Sequence, residues 1–389
     1  MLAGRVVRLS SVEDVRAQAL EVAAGWSPED APGTWRLTAE LFRVIAAHEE
    51  LLRGLAVLPA DRLPALLASA AVRFLVRRDQ PVPLAGYFPE PGERQPPFDS
   101  GFLPAADDFI TGRLDDIMAE CGRRRYQMNE VARCAQVASG IAATNRSRTA
   151  PVGLVDLGTG AGLGLHIDRY GYEVGRQASG PQPVELTLYC DARGPVLPPR
   201  LDLPPVADRA GIDIAPVDLQ DAEARAWLLA CAPPEESALS RLAAAIEVTR
   251  QHPALIVAGD VIETLPEVLD QIRPGLSVIV TDAYLAVFLP PERRADLTKI
   301  MAEAGELRPV TWLSLDPLVP LGPTGHDSVQ DLELAPHLVE DYQERGVFAV
   351  LGARTFDRGT SHGRLLARAH PSGQWIEWLD RESGQALAN

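Results

Sequence analysis

The densest chemistry in the chain lies in one stretch, Val155-Asp156-Leu157-Gly158-Thr159-Gly160-Ala161-Gly162-Leu163-Gly164. Closely spaced glycines let a backbone turn sharply and approach a ligand with no Cβ in the way. A helix over Leu163–Arg169, just beyond the loop, would add free amides and the positive end of its dipole. Spacing then discriminates between cofactors. A dinucleotide fingerprint needs G-x-G-x-x-G. Counted from Gly158 its last position is Leu163, and counted from Gly160 it is Leu165, so both fail. Acidic-x-G-x-G-x-G fits instead, as Asp156, Gly158, Gly160 and Gly162. S-adenosylmethionine (SAM) has no pyrophosphate, and its amino-acid end carries an ammonium that an acid at the strand end can meet. The loop reads as a SAM site. A purely structural turn and a site for another nucleotide are the alternatives.

Other acids fall where such a cofactor needs them. Gly211-Ile212-Asp213-Ile214 is an apolar strand ending in a carboxylate, which places Asp213 to accept both ribose hydroxyls. The interval from Gly162 exceeds the usual ~20 residues, and a hairpin inserted near 170–205 accounts for the excess. Asp191, after the expected strand Val184–Cys190, competes for the role. Asp260 follows the strand Ala254–Val257 and would face the adenine, unless it only caps the helix that begins near Glu263. Tyr284 follows the strand Leu276–Thr281 at the edge where ligands collect.

Methyl transfer is an in-line displacement from a good leaving group, so an enzyme mainly aligns the acceptor. A base is needed only for a protonated acceptor. His166 and Tyr170 share a helical face at i, i+4, with Asp168 between them. Glu130 and Asn129 precede the first strand and could fold back over the cofactor, Glu130 as a base and Asn129 as a cofactor contact. The blander alternatives are a satisfied helix histidine and a solvated helix face. His362 and His370 are expected at the surface. G-x-S-x-G and H-E-x-x-H are missing from the sequence, the four cysteines have no C-x-x-C spacing, and no metal site is expected.

The elements that must position these residues change character at Pro151. Before it the pattern is helical. A capping box Ser10/Glu13 opens a stripe Val12, Val15, Ala19, Val22, Trp26. Stripes Leu37–Leu52 and Leu63–Phe74 follow, then a Pro- and Gly-rich loop over 81–104, then helices Ala106–Cys121 and Arg125–Ala143. Beyond Pro151, Gly153–Leu157, Val184–Cys190, Gly211–Ile214, Ala254–Val257, Leu276–Thr281 and Val310–Ser314 read as strands alternating with amphipathic stretches. That alternation argues for a mostly parallel sheet. Phe348–Thr355, Gly363–Arg368 and Trp375–Leu379 should close it as antiparallel strands. The expected architecture is α/β: a helical N-terminal cap over 1–150 and a doubly wound sheet over 151–389.

With 389 residues, 46% of them hydrophobic, the chain has material for two cores. A net charge of −16 repels phosphate backbones and anionic lipid, so neither nucleic acid nor a membrane is an expected partner. Arg5 and Arg8 stand in a start without a long apolar run, so no signal peptide is expected and the cytoplasm is the expected compartment.

Together these residues resemble the class I SAM-dependent methyltransferase fold, a Rossmann-like core. Over most of its length the chain also resembles a family of uncharacterised bacterial proteins, common in actinobacteria, known as a domain of unknown function. Met128-Asn129-Glu130-Val131-Ala132-Arg133, the glycine loop, Leu165–Tyr172, Arg209–Pro216, Leu289–Arg294 and His370-Pro371-Ser372-Gly373-Gln374-Trp375 carry that resemblance. The commoner family form has Thr in place of Met128 and Ala-Ser-Ala-Gly-Leu-Asn after the first glycine of the loop. The resemblance implies a fold and a cofactor, not a substrate. Three functions follow: a methyltransferase for a small molecule or peptide, a SAM enzyme of other chemistry such as a lyase or cyclase, or a non-catalytic binding protein.

Overall fold

The computed structural model describes residues 9–27, 35–94, 98–145, 149–233, 235–317, 319–321, 326–330, 332–333, 338, 340–341 and 348–379. Arg5 and Arg8 lie outside them. The chain divides into two compact units, Met1–Asn129 with Asp218–Ala243, and Glu130–Val217 with Ala244–Asn389. The division thus falls at residue 129 rather than 150, and a later segment joins the first unit.

The first unit is helical. It holds α1 (Val12–Gly25), α2 (Trp35–Ala47), α3 (Glu49–Leu55), α4 (Pro64–Arg78), α5 (Phe102–Gly112), α6 (Leu114–Arg123) and α8 (Ala222–Cys231). The capping box at its start is Ser11/Asp14, one residue later than the expected Ser10/Glu13. The stripe from Leu37 breaks at His48, whose Nδ1 accepts the Leu51 amide and starts a new helix. The helix expected over Ala106–Cys121 breaks at Gly112 and Arg113, where a poor helix former precedes non-helical backbone. α4 is buried on nearly every face and forms the axis of this core. Trp227 of α8 packs edge-on to Phe74, with ring centroids 5.7 Å apart, and its indole donates to the Arg125 carbonyl at 2.8 Å. That bond, with the Tyr126 hydroxyl on the Cys231 carbonyl, holds 125–126 out of a helix. The expected helix Arg125–Ala143 is therefore shorter, α7 (Arg133–Thr144), and lies in the second unit.

The second unit is built on an eleven-stranded, mostly parallel sheet. Its strands are β1 (Val152–Leu157), β2 (Gly171–Val174), β3 (Gln177–Ser179), β4 (Thr187–Arg193), β5 (Val206–Asp213), β6 (Leu255–Ala258), β7 (Ser277–Ala283), β8 (Val310–Pro317), β12 (Ala349–Asp357), β13 (Thr360–Ala369) and β14 (Trp375–Trp378). β9 (Val319–Leu321), β10 (His326–Val329) and β11 (Leu332–Glu333) form a separate three-stranded sheet. In the large sheet the order is β3-β2-β4-β14-β13-β12-β8-β7-β1-β5-β6. β6-β5-β1-β7-β8 pair in parallel throughout. Taken by themselves, they run in the order 3-2-1-4-5. Their inner members read as continuous apolar runs, as strands covered on both faces must. α10 (Val261–Gln271) and α11 (Pro291–Gly305) cover one face, where Leu265, Val268, Leu297 and Met301 pack against Val155, Val280 and Trp312. α9 (Glu236–Gln251) spans the division between the units.

The expected insertion before β5 is present. β2 and β3 form an antiparallel hairpin, and β4 runs parallel to both β2 and β14. The strand expected at Val184–Cys190 is thus β4, and β5 is the neighbour of β1. β12, β13 and β14 follow as antiparallel neighbours, as expected. No helix among the described residues is long and apolar enough to cross a membrane.

Candidate functional site

In an open α/β sheet, connections leave to opposite sides where the strand order reverses, and ligands collect beyond the strand ends there. In this sheet the reversal falls at β1, between β5 and β7. The chain leaves β1 through Gly158, Gly160 and Gly162, with φ of +67°, +57° and +77°. This is the left-handed region that residues with a Cβ rarely enter. β5 pins the turn. The Ile212 carbonyl accepts the Gly158 and Thr159 amides at 2.8 and 3.2 Å, and Asp213 Oδ2 accepts the Gly160 amide at 2.8 Å. Asp213 Oδ1 accepts the Ala215 amide at 2.8 Å. Asp191, by contrast, sits on β4, beside β14.

Asp156 ends β1 half-buried. Its two oxygens accept from Thr159 Oγ1 and Thr281 Oγ1, each at 2.7 Å. Burial pushes its carboxyl up to about 6, against the pull of the two hydroxyls, and the charge of Asp213 acts in the same direction as burial.

The helix expected from Leu163 is a four-residue 3-10 turn, Leu163–His166. Its carbonyls are claimed elsewhere: the Tyr170 hydroxyl donates to the Leu163 carbonyl at 2.9 Å and Arg209 Nη1 to the Leu165 carbonyl at 2.6 Å. Arg209 also grips Asp168 with two bonds of 2.9 and 3.0 Å. His166 and Tyr170 are both fully buried. Burial, with the charge of Arg209, holds the His166 imidazole down to about 4.

The other expected residues are spread more widely. Glu130 lies in the turn before α7, where Oε1 accepts the Ala132 amide at 3.0 Å. Cys134, one turn on, lies close enough to Glu130, Asp156 and Tyr170 for charge on any of them to be felt. Asn129 belongs to the first unit, where its amide nitrogen donates to Gln127 Oε1 at 3.2 Å. Asp260 caps α10 through the Ile262 amide at 2.9 Å and pairs with Arg293. His362 is exposed on β13. His370, expected at the surface, is half-buried against Trp375, and burial takes it down to about 4.

Sequence reasoning passed over Arg133. Its guanidinium lies 3.9 Å from the centroid of the Tyr284 ring, and Tyr284 holds a left-handed φ of +65° just beyond β7. Leu285, the next residue, comes within 3.4 Å of where a Cβ on Gly158 would lie. The turn after β7 therefore packs directly on the glycine loop.

A family model described as an uncharacterised protein conserved in bacteria, DUF2332, matches residues 17–378. The chain belongs to this family. No curated protein matches the sequence. In this DUF2332 member, the start of α7 and the residue before it, Ala132–Gln136, interlock with His370–Trp375. Arg133 Nε donates to the Pro371 carbonyl at 2.7 Å, and Gln136 Nε2 donates to the carbonyls of His370 and Trp375 at 3.0 and 2.9 Å. Gly373, at φ +78°, lies so close to Ala132 that a Cβ there would fall 2.4 Å from its carbonyl carbon. Two segments far apart in sequence thus form one wall, which carries Arg133 to Tyr284.

Proposed function

We propose that this DUF2332 chain is a SAM-dependent methyltransferase with a Rossmann-like core, acting on a small molecule or a peptide. The observation that carries the reading is the glycine turn at the strand reversal, bracketed by Asp156 on β1 and Asp213 on β5. The donor set fits the group. A carboxylate at the end of β1 suits an ammonium and repels a pyrophosphate. The turn is followed by a single 3-10 turn, so the long helix dipole that favours phosphate is missing. Asp213 still has lone pairs for hydroxyl donors after accepting two amides. Ile214 beside it is 57% exposed and offers an apolar face to a planar base. Asp260 reads the amino edge of the adenine in this proposal while capping α10.

When bound, SAM supplies an electrophilic methyl group on a sulfonium. The protein's part is to orient and to exclude water. Asp156 and Asp213 fix the two ends of the cofactor, and Thr159 and Thr281 hold the Asp156 carboxylate in one orientation. His166 and Tyr170 sit behind the loop and act through it, because both are buried and Tyr170 spends its hydroxyl on the Leu163 carbonyl. Glu130 is the base in this scheme.

The test is direct. Mass spectrometry of the supernatant after denaturing the purified protein should detect SAM or S-adenosylhomocysteine, and added S-adenosylhomocysteine should raise the melting temperature. At a hundredfold excess over Kd the gain is about 2.7 kcal/mol. Stabilisation by NAD with none by S-adenosylhomocysteine would overturn the assignment.

A further inference from the structure

Beneath the turn that presses on the glycine loop lies a pair of carboxyl groups sealed from water. Asp282, near the end of β7, is 1% exposed, as is Asp316 on β8, and Ser314 between them is fully buried. Ser314 is the register partner of Asp282 across the two strands. Trp312 Nε1 donates to Asp282 Oδ2 at 2.6 Å. The Ser314 Oγ lies 2.9 Å from Asp282 Oδ1 and 2.9 Å from Asp316 Oδ2.

Counting hydrogens decides the protonation. A serine hydroxyl has one hydrogen, and an ionised carboxylate has none to give. Ser314 can therefore satisfy only one of its two oxygen contacts as a donor. The other is attractive only if the carboxyl itself supplies a proton. Two bare carboxylates this close and this dry would repel strongly. Asp316 is the better anion. The amides of Ala286 and Val287 lie near enough to favour its charged form, although its Oδ1 makes no hydrogen bond of ordinary geometry. Asp282 has the indole and the Ser314 hydroxyl to support a charge, while its direct contact with Asp316 and the charge there favour its neutral form. The proton belongs on Asp282 Oδ1, and the chain runs from Asp282 to Ser314 to Asp316.

We propose that Asp282 is a positioning residue kept as a neutral carboxylic acid, whose proton ties β7 to β8 and seats the Tyr284–Phe288 turn against the glycine loop. The connection is short. The Tyr284 amide donates to the Leu315 carbonyl at 2.9 Å, and the Ala286 and Val287 amides look down on Asp316. Leu285 reaches Gly158. Burial and the partner carboxyl are the largest influences on Asp282, and the partner carboxyl, Ser314 and the two amides are what favour the charge on Asp316. The charged group at the top of the turn is Arg133, stacked on Tyr284. The effect on cofactor binding rests on the SAM reading, whereas the proton does not.

Burial and the charge of Asp316 push Asp282 well above the usual carboxylate range. A raised value in the folded state gives stability that is full in acid and lost as the pH rises through that value. The test uses the full chain. Infrared difference spectroscopy on the wild type should show the carbonyl band of a protonated carboxylic acid at neutral pH, and Asp282→Asn should remove that band. This variant keeps a donor towards Ser314 and an acceptor for Trp312, so its melting temperature at neutral pH should match or exceed that of the wild type. S-adenosylhomocysteine affinity of the wild type should fall in alkali, up to about tenfold per pH unit, and that of Asp282→Asn should stay flat. Asp282→Ala should weaken binding at every pH. Absence of the protonated band, or a large drop in melting temperature for Asp282→Asn, would overturn the proposal. If the wild type binds no S-adenosylhomocysteine, the SAM reading fails alone, because the band and the melting profile still decide the proton.

Discussion

Asp213 accepts the Gly160 amide on one oxygen and the Ala215 amide on the other, both at 2.8 Å. The carboxylate thus ties the middle of the glycine turn to the end of β5 and is fixed in place before any ligand arrives. Asp213→Ala should lower the melting temperature, because the Gly160 amide loses its acceptor. It should also weaken S-adenosylhomocysteine binding by roughly 1–3 kcal/mol. Asp191→Ala on β4 should change neither. Calorimetry that ranked the two the other way would remove Asp213 from the site.

Asp156 gives the site a pH dependence of definite sign. Its carboxyl sits at about 6 in the folded protein, against about 3.9 in an unfolded chain. Its contribution to stability is therefore full below about pH 4 and lost as the pH rises through 6. Binding runs the other way, because an ammonium prefers the ionised carboxylate. S-adenosylhomocysteine affinity should fall as the pH drops below about 6, approaching tenfold per unit. Asp156→Asn should bind weakly at every pH and melt higher than the wild type near neutrality. An affinity that stays constant between about pH 5 and 7 in the wild type would take Asp156 away from the ammonium.

What the sequence could disclose depended on how local the cause was. β1, β7 and β8 declare themselves as apolar runs, and the acids at 156 and 213 end their strands as the motif implies. The hairpin before β5 followed from an over-long interval. Other features depend on distant packing. Residues 218–243 join the first unit because Trp227 packs on Phe74, which no local pattern encodes. The helix after the loop stops at His166 because Arg209 and Tyr170 take its carbonyls. The Asp282–Asp316 pair needs the register of β7 against β8. The available hint was Trp312, Ser314 and Asp316 at alternate positions, placing two polar groups on the buried face of a strand.

His166 should make the protein sensitive to acid. The imidazole is held at about 4 when folded and titrates near 6.5 when unfolded. Its neutral form stabilises the fold above pH 6.5, and that stability is lost as the pH falls through 4. The difference is on the order of 3 kcal/mol. His370, also held at about 4, acts in the same window. Denaturant melts at about pH 7 and 4.5 should show a smaller acid loss in His166→Gln and the smallest when His370→Gln is added. An equal acid loss in all three proteins would mean that neither imidazole is held neutral.

Tyr170→Phe separates holding the loop from proton transfer. The substitution keeps the ring in its fully buried place and removes only the hydroxyl, which donates to the Leu163 carbonyl at 2.9 Å. That carbonyl would be left buried without its donor, at a cost of about 1–3 kcal/mol. Because Leu163 follows Gly162 directly, the strain falls on the glycine turn. Stability and S-adenosylhomocysteine affinity should therefore drop together, and the bound complex should regain part of the lost melting temperature. Arg209→Lys should behave alike, since a lysine cannot span both Asp168 oxygens and the Leu165 carbonyl as the guanidinium does. A tyrosine acting as base predicts the opposite pattern: stability and binding unchanged, with turnover abolished on any acceptor that must lose a proton. Thermal melts and calorimetry on the two variants distinguish these outcomes before any acceptor is identified.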